Sequence, residues 1–151
     1  EKFLKTKYNY LIILEDDIKL KNDFNEKISK LLIYLDKNND IDFVYLSRSQ
    51  EIVMEHSFTP KKDKYKNNFI FSPEVCGFGF HSYLLTKNGC SKFLKILKES
   101  EKQTFQKNKA IPLDCMDRWL ILGNRMDINL NVYALYEEIT KTRGLNSNTS
   151  T

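Results

Sequence analysis

The chain has 151 residues, 41% of them hydrophobic, which suits a single folded domain with its own core. Its 24 basic residues are mostly dispersed lysines, so the net charge of +4 does not indicate a nucleic-acid surface. No stretch approaches the roughly 18 apolar residues of a membrane span, and we expect neither a transmembrane segment nor a signal peptide.

The cysteines and histidines favour a reducing compartment and argue against zinc. The chain contains Cys76, Cys90 and Cys115, an odd number with no Cys-x-x-Cys spacing. A reducing, cytoplasmic setting is the simpler interpretation, and a secretory lumen stays open as the alternative. His56 and His81 lie far apart in the sequence, with no cysteine at ligand spacing, so a zinc site is not expected.

An apolar run that ends on three acidic residues is the strongest local signal. Leu11 to Leu14 is an unbroken apolar segment typical of a buried strand, and Glu15, Asp16 and Asp17 follow it directly. Adjacent carboxylates repel one another, and either solvent or a divalent metal would offset that repulsion. In an extended chain Glu15 and Asp17 point to one side and Asp16 to the other. The pair could therefore hold a metal, and an acidic loop before a helix is the alternative interpretation.

A helix and a second strand are predicted next. Asp23 and Glu26 have capping-box spacing, apolar residues then recur on one helical face, and residues 38–40 end the helix. Residues 41–46 are β-branched and aromatic, as in a strand. Strand, helix and strand in this order predict a βαβ unit with a parallel sheet.

A long loop, two short strands and a helix are predicted in the middle of the chain. Residues 48–68 are polar and include a proline, which indicates a surface loop. Residues 69–71 and 80–85 are predicted to be strands. Thr86 is placed to cap a helix whose apolar stripe ends at Leu97, and residues 98–109 are predicted to be a charged connector.

The last part of the chain is predicted to contain a short helix and one strand. Asp114 is placed as the helix cap, with Asp117 at the third position and Gly123 as the stop. Residues 130–135 are predicted to form the last strand, and a polar tail begins at Lys141. No internal repeat or second domain is evident, so residues 1–151 are predicted to form one α/β domain.

Four sequence blocks, in order, resemble glycosyltransferase family 25, which contains lipopolysaccharide-type sugar transferases and procollagen galactosyltransferases. They are residues 11–17, 42–46, 83–90 and 111–114. The chain has no clear counterpart of the extra metal ligand that many related transferases place near their C-terminus, and three further features depart from the family pattern. Ser47 follows the second block where glycine is usual, Asn148 replaces an acidic residue, and only nine residues precede Tyr10, where the family carries a nucleotide-binding segment.

The resemblance implies a GT-A-like, Rossmann-like fold, in which a mixed sheet is flanked by helices. It also implies that residues 1–151 are the C-terminal part of a longer family domain that lacks part of its N-terminal nucleotide-binding half. The implied reaction moves a sugar, expected to be galactose, from a UDP-sugar to a glycan or protein hydroxyl, with inversion. A bound Mn²⁺ or Mg²⁺ would assist the reaction.

Site residues follow from the matching blocks. Glu15 and Asp17 are expected on or near the metal, as part of an acidic cluster that includes Asp16, and Asp16 is expected to bond the donor ribose or sugar. Asp114 is expected to be the general base, although a plain helix cap is the alternative. Donor or substrate binding is further assigned to three residues, namely Arg48, Asp117 and Ser147.

Two other functions stay open. The chain could be a non-catalytic or degenerate transferase-like module that binds a partner or glycan, as the missing upstream segment and Asn148 suggest. A metal-dependent phosphohydrolase also uses acidic strand ends, but the later blocks give it no support.

Overall fold

The computed structural model describes residues 1–47, 70–71, 81–107, 128 and 130–142. Its elements in chain order are a 3₁₀ helix (Phe3–Lys5), β1 (Tyr10–Leu14), β2 (Ile18–Leu20), α1 (Phe24–Lys37), β3 (Phe43–Tyr45), β4 (Ile70–Phe71), β5 (Ser82–Thr86), α2 (Lys87–Lys107), β6 (Val132–Leu135) and β7 (Thr140–Thr142). The predicted loop at residues 48–68 and the predicted helix that begins at Asp114 lie outside the described residues.

The main sheet has five strands in the order β1-β5-β3-β6-β4. β5 is antiparallel to both β1 and β3, β3 is parallel to β6, and β4 is antiparallel to β6. The mixed α/β fold implied by the resemblance is therefore confirmed. The parallel βαβ unit is wrong in one respect: β1 and β3 run in the same direction, but β5 lies between them.

Each face of the sheet buries the apolar side of one helix. Alternate strand residues, among them Ile13, Phe43, Tyr45 and Tyr83, pack with the apolar side of α2. The residues that point the other way pack with α1; they include Ile12, Val44, Leu84 and Leu135. This alternation is what the two-residue period of a strand requires when both sheet faces are covered. The result is a three-layer α/β/α arrangement within the described residues.

Both helices begin where predicted and α1 ends where predicted, but the cap of α1 and the end of α2 differ from the predictions. The amide of Gly89 donates to Thr86 Oγ1 at 3.0 Å, so Thr86 caps α2. Asp23 makes no capping bond with its side chain, because its carboxylate instead pairs with Lys27 at 2.8 Å. The predicted capping box is therefore wrong. The predicted connector after residue 97 is also wrong, since α2 continues to Lys107. That stretch has no glycine or proline and is rich in good helix formers.

A second, two-stranded sheet was not predicted. β2 and β7 pair antiparallel, with Ile18 opposite Thr142 and Leu20 opposite Thr140. The strand at residues 130–135 is therefore not the last one, and β2 interrupts the predicted passage from the acidic turn to α1. Three-residue strands carry little local signal, and their pairing here joins segments more than a hundred residues apart. Among the described residues, no helix is long and apolar enough to cross a membrane.

A buried carboxylate joins three elements next to β3. Asp42 is fully buried, and its carboxylate accepts hydrogen bonds from Asn88 Nδ2 at 2.8 Å, Lys92 Nζ at 2.6 Å and the Asn131 amide at 3.0 Å. Asn88 and Lys92 belong to α2, and Asn131 directly precedes β6. These three donors offset the cost of burying the charge and fix the start of α2 against the sheet.

The same contact explains a glycine in the first turn of α2. A Cβ atom at Gly89 would lie 1.9 Å from the backbone oxygen of Asp42. That oxygen accepts the Thr86 amide at 3.0 Å, so it is held in place and cannot move aside without breaking a hydrogen bond. The close approach of α2 to the start of β3 therefore requires a residue without a side chain.

We predict that Gly89→Ala destabilises the protein. Alanine gains up to about 1 kcal/mol of helix propensity, but the overlap with the backbone costs about 3 kcal/mol or more. The net loss in the free energy of unfolding is therefore about 2 kcal/mol or more, measured by denaturant titration. Lys95→Ala, at an exposed position of the same helix, should stay within about 0.5 kcal/mol of the wild type. A Gly89→Ala variant as stable as the wild type would contradict the account of this contact.

Candidate active site

One edge of the main sheet gathers the ends of several strands. β1, β3 and β6 run in the same direction, so their carboxyl ends lie at the same edge as the amino end of the antiparallel β5. Glu15 follows β1 at this edge, Ser47 lies two residues beyond β3, and His81 immediately precedes β5. The acidic segment thus lies beside residues from two other parts of the sequence.

Strand register sets His81 directly opposite Glu15. The β1–β5 pairing ends with Leu14 opposite Ser82, and the Glu15 amide donates to the His81 carbonyl at 2.9 Å, which extends the ladder by one pair. Directly opposed residues of antiparallel strands project their side chains to the same face. Accordingly, His81 Nδ1 lies 2.7 Å from Glu15 Oε2 in a hydrogen bond.

Asp17 joins this pair through a turn. The Ile18 amide donates to the Glu15 carbonyl at 3.3 Å, so the chain turns between these two residues. Glu15, Asp17 and His81 each bring one ligand atom to within 4.8 Å of the others. Asp16 is not part of this group. The structure thus brings together the two carboxylates that the sequence places on one side, although a turn does so instead of an extended chain.

The donor set of this group fits a divalent cation. Two carboxylate oxygens and one imidazole nitrogen are common ligands of such ions, and three protein ligands leave coordination positions open for water or a substrate. Glu15 and Asp17 are exposed and His81 is half-exposed, so an ion and an anionic ligand can approach from solvent. We call Glu15, Asp17 and His81 the edge cluster.

Sequence reasoning missed His81, because nothing in its local sequence connects it with the acidic segment. It is 66 residues from Glu15, and only the antiparallel register of β1 and β5 brings the two together. The sequence could have predicted this contact only if the two predicted strands had been paired in that register. The spacing of the two histidines in the sequence argues against a zinc site and says nothing about a site shared with the acidic segment.

Buried hydroxyl groups hold the strand end next to His81. The Ser82 hydroxyl donates to Ser47 Oγ at 2.9 Å and shares a second hydrogen bond with Thr140 Oγ1. All three side chains are buried. Together they join β5, the end of the β3 segment and β7, and thereby fix the backbone that carries His81. Ser47, which departs from the family pattern, is one of the three.

Tyr83 lies on the same face as the edge cluster and stays neutral at physiological pH. Burial, and to a smaller extent the negative charge of Glu15, raises the pKa of Tyr83 to about 12. Its ring stacks on Phe43 with centroids 4.9 Å apart, which anchors it in the core beneath α2. It therefore contributes packing, without any charge, beside the carboxylates.

Four predicted site residues lie outside the described part of the chain. They are Arg48, Asp114, Asp117 and Ser147. Ser47, the last described residue before Arg48, is at the same sheet edge as Glu15. The assigned roles of these four residues stay predictions.

Comparison with known proteins agrees with the sequence resemblance. A family model described as glycosyltransferase family 25 (LPS biosynthesis protein) matches residues 1–116. The matched range covers most of the chain and includes the edge cluster and Asp114. A search of curated proteins finds no significant match.

We predict that Asp17→Asn weakens Mn²⁺ binding at least about tenfold, because loss of even an outer partner of a metal ligand costs 10- to 100-fold. Titration followed by the enhancement of water-proton relaxation measures this. Glu26→Gln is the matched control, since Glu26 pairs with Lys30 on α1 and not with the edge cluster. Equal affinities for the wild type and Asp17→Asn would show that the ion binds elsewhere.

Proposed function

The chain belongs to glycosyltransferase family 25, and on this basis we propose that it transfers galactose from UDP-galactose to a glycan hydroxyl group, with inversion at the anomeric carbon. A protein hydroxyl is the alternative acceptor, and the description of the family as LPS biosynthesis proteins favours the glycan. The observation that carries the proposal is the grouping of Glu15 and Asp17 with His81 at the carboxyl edge of the sheet.

The edge cluster is proposed to hold Mn²⁺ or Mg²⁺ through Glu15 and Asp17. Such a cation, when bound, neutralises charge on the leaving diphosphate and acts as a Lewis acid. Glu15 is held by its strand pairing and by His81, so one carboxylate has a fixed position before any ligand arrives. A preset ligand of this kind reduces the ordering cost of binding.

The remaining acidic and basic residues are proposed to bind the donor. Asp16 lies outside the edge cluster and is proposed to accept a hydrogen bond from the ribose or the sugar. Arg48 comes directly after Ser47 in the sequence and is proposed to bind a phosphate oxygen, which suits the geometry of a guanidinium group. Asp117 and Ser147 are proposed to complete the donor or acceptor site.

Asp114 is proposed to be the general base. An inverting transfer needs a carboxylate within hydrogen-bond reach of the acceptor hydroxyl. The carboxylate takes up the hydroxyl proton as the hydroxyl oxygen attacks the anomeric carbon. Asp114 lies within the range matched by the family model, in the last of the four blocks. This placement supports the role over that of a helix cap alone.

A reducing compartment is the proposed location. Cys90 is the one cysteine that the structure describes, and it is a free thiol buried in the core under α2. Burial raises the pKa of this thiol, so Cys90 is unreactive and serves packing.

The transfer reaction tests the proposed function directly. The full-length natural protein is incubated with a lipopolysaccharide-type glycan and one donor. The donor is UDP-galactose, UDP-glucose or a GDP-sugar in parallel reactions. We expect product from UDP-galactose, its loss with EDTA and its return with added Mn²⁺. Glycan binding without transfer from any donor would instead support the non-catalytic module, and transfer that survives EDTA would remove the metal from the proposal.

Asp114→Asn distinguishes the base from the cap. Asparagine caps a helix about as well as aspartate, but it cannot accept the proton, so transfer should fall by about 10²–10⁴-fold. Thermal unfolding and UDP-galactose binding should not change. Asp114→Ala, measured alongside, should lose both the cap and the transfer. Near-normal transfer by Asp114→Asn would leave only the capping role.

A further inference from the structure

We propose that His81 is a nitrogen ligand of the bound cation and that it makes the edge cluster prefer Mn²⁺ or Co²⁺ to Mg²⁺. The inference rests on the proposed function, because the cation is the one assigned to Glu15 and Asp17. It adds a residue from β5 to a site that the sequence places wholly in the acidic segment after β1.

The first support is the geometry between His81 and Glu15. Two atoms bound at a right angle to one ion, each about 2.1–2.2 Å from it, lie about 3 Å apart. His81 Nδ1 and Glu15 Oε2 are 2.7 Å apart, so a few tenths of an ångström of opening would admit an ion between them. The ligand atom of Asp17 lies within 4.8 Å of both, which leaves only a small movement to close the set.

The second support is that His81 is held in place from two sides. Its carbonyl accepts the Glu15 amide at 2.9 Å, and the next residue, Ser82, is fixed by the buried hydroxyl groups of Ser47 and Thr140. The imidazole itself stays partly open, with 32% of the side chain exposed. A fixed backbone with an accessible ring nitrogen is the arrangement that a metal ligand needs.

The consequence for metal choice follows from ligand chemistry. Sites made only of carboxylate and water oxygens suit Mg²⁺, Ca²⁺ and Mn²⁺, whereas imidazole nitrogen favours transition metals. One imidazole beside two carboxylates therefore lowers the relative affinity for Mg²⁺. The alternative role for His81 is that of a hydrogen-bond donor that only positions Glu15, and this role predicts no change in metal preference.

His81→Asn separates the two roles. The asparagine amide keeps a hydrogen-bond donor close to the position of Nδ1, so Glu15 stays positioned, but the imidazole nitrogen is lost. Mn²⁺ alone is added to the wild type and the variant, and pulsed EPR detects magnetic coupling between the ion and ligand nitrogen. We expect nitrogen coupling in the wild type and its loss in His81→Asn. The matched control is His56→Gln, which removes the other histidine of the chain.

Competition between cations gives an independent readout. The ratio of the Mn²⁺ to the Mg²⁺ affinity should fall at least about tenfold in His81→Asn, and it should not change in His56→Gln. Thermal unfolding verifies that each variant is folded, and His81→Gln replaces His81→Asn if the latter is not.

The outcomes separate this inference from the proposed function. Mn²⁺ binding without nitrogen coupling in the wild type, or with coupling that persists in His81→Asn, would overturn the role of His81 and leave the carboxylate site intact. Absence of any Mn²⁺ binding by the wild type would overturn both the role of His81 and the proposed Mn²⁺ site at Glu15 and Asp17. Sugar transfer is not needed for either readout.

Discussion

The antiparallel pairing of β5 with β1 is the interaction on which both the core and the candidate site depend. On the α2 side of the sheet, Tyr83 and Leu85 of β5 pack with Ile13 of β1. On the α1 side, Leu84 of β5 packs with Ile12 of β1. The same register sets His81 opposite Glu15 at the edge of the sheet. A shift of one residue would reverse the side chains of β5 and remove His81 from the carboxylates. Packing of the core therefore fixes the geometry of the site.

A second constraint acts at the other end of β5. The buried Asp42 carboxylate accepts three hydrogen bonds, and each partner is a donor. An asparagine at this position would place its own NH₂ donor group against one of these donors. Asp42 and Gly89 belong to two of the blocks that carry the family resemblance. Their contact gives those blocks a physical reason: α2 can approach the start of β3 only where the helix has no side chain.

Local sequence pattern predicted the elements whose own residues define them. β1, the strand at residues 43–45, the start of α1 and the Thr86 cap all follow from apolar runs or capping residues within a few positions. The pattern failed where a long-range contact decides: β5 lies between β1 and β3, β2 pairs with β7, and Asp23 binds Lys27 instead of the helix end. Glu15 and Asp17 could be chosen from their spacing, but His81 could not, because its place in the site depends on strand register.

The central claim is that the end of β1 and the start of β5 together form one cation site. Crystals of the full-length protein soaked in Mn²⁺, with diffraction measured near the manganese absorption edge, would locate the ion by its anomalous scattering. The account predicts one strong peak about 2.0–2.3 Å from carboxylate oxygens of Glu15 and Asp17 and from Nδ1 of His81. A peak bound elsewhere, or one beside the carboxylates with the imidazole turned away, would contradict it.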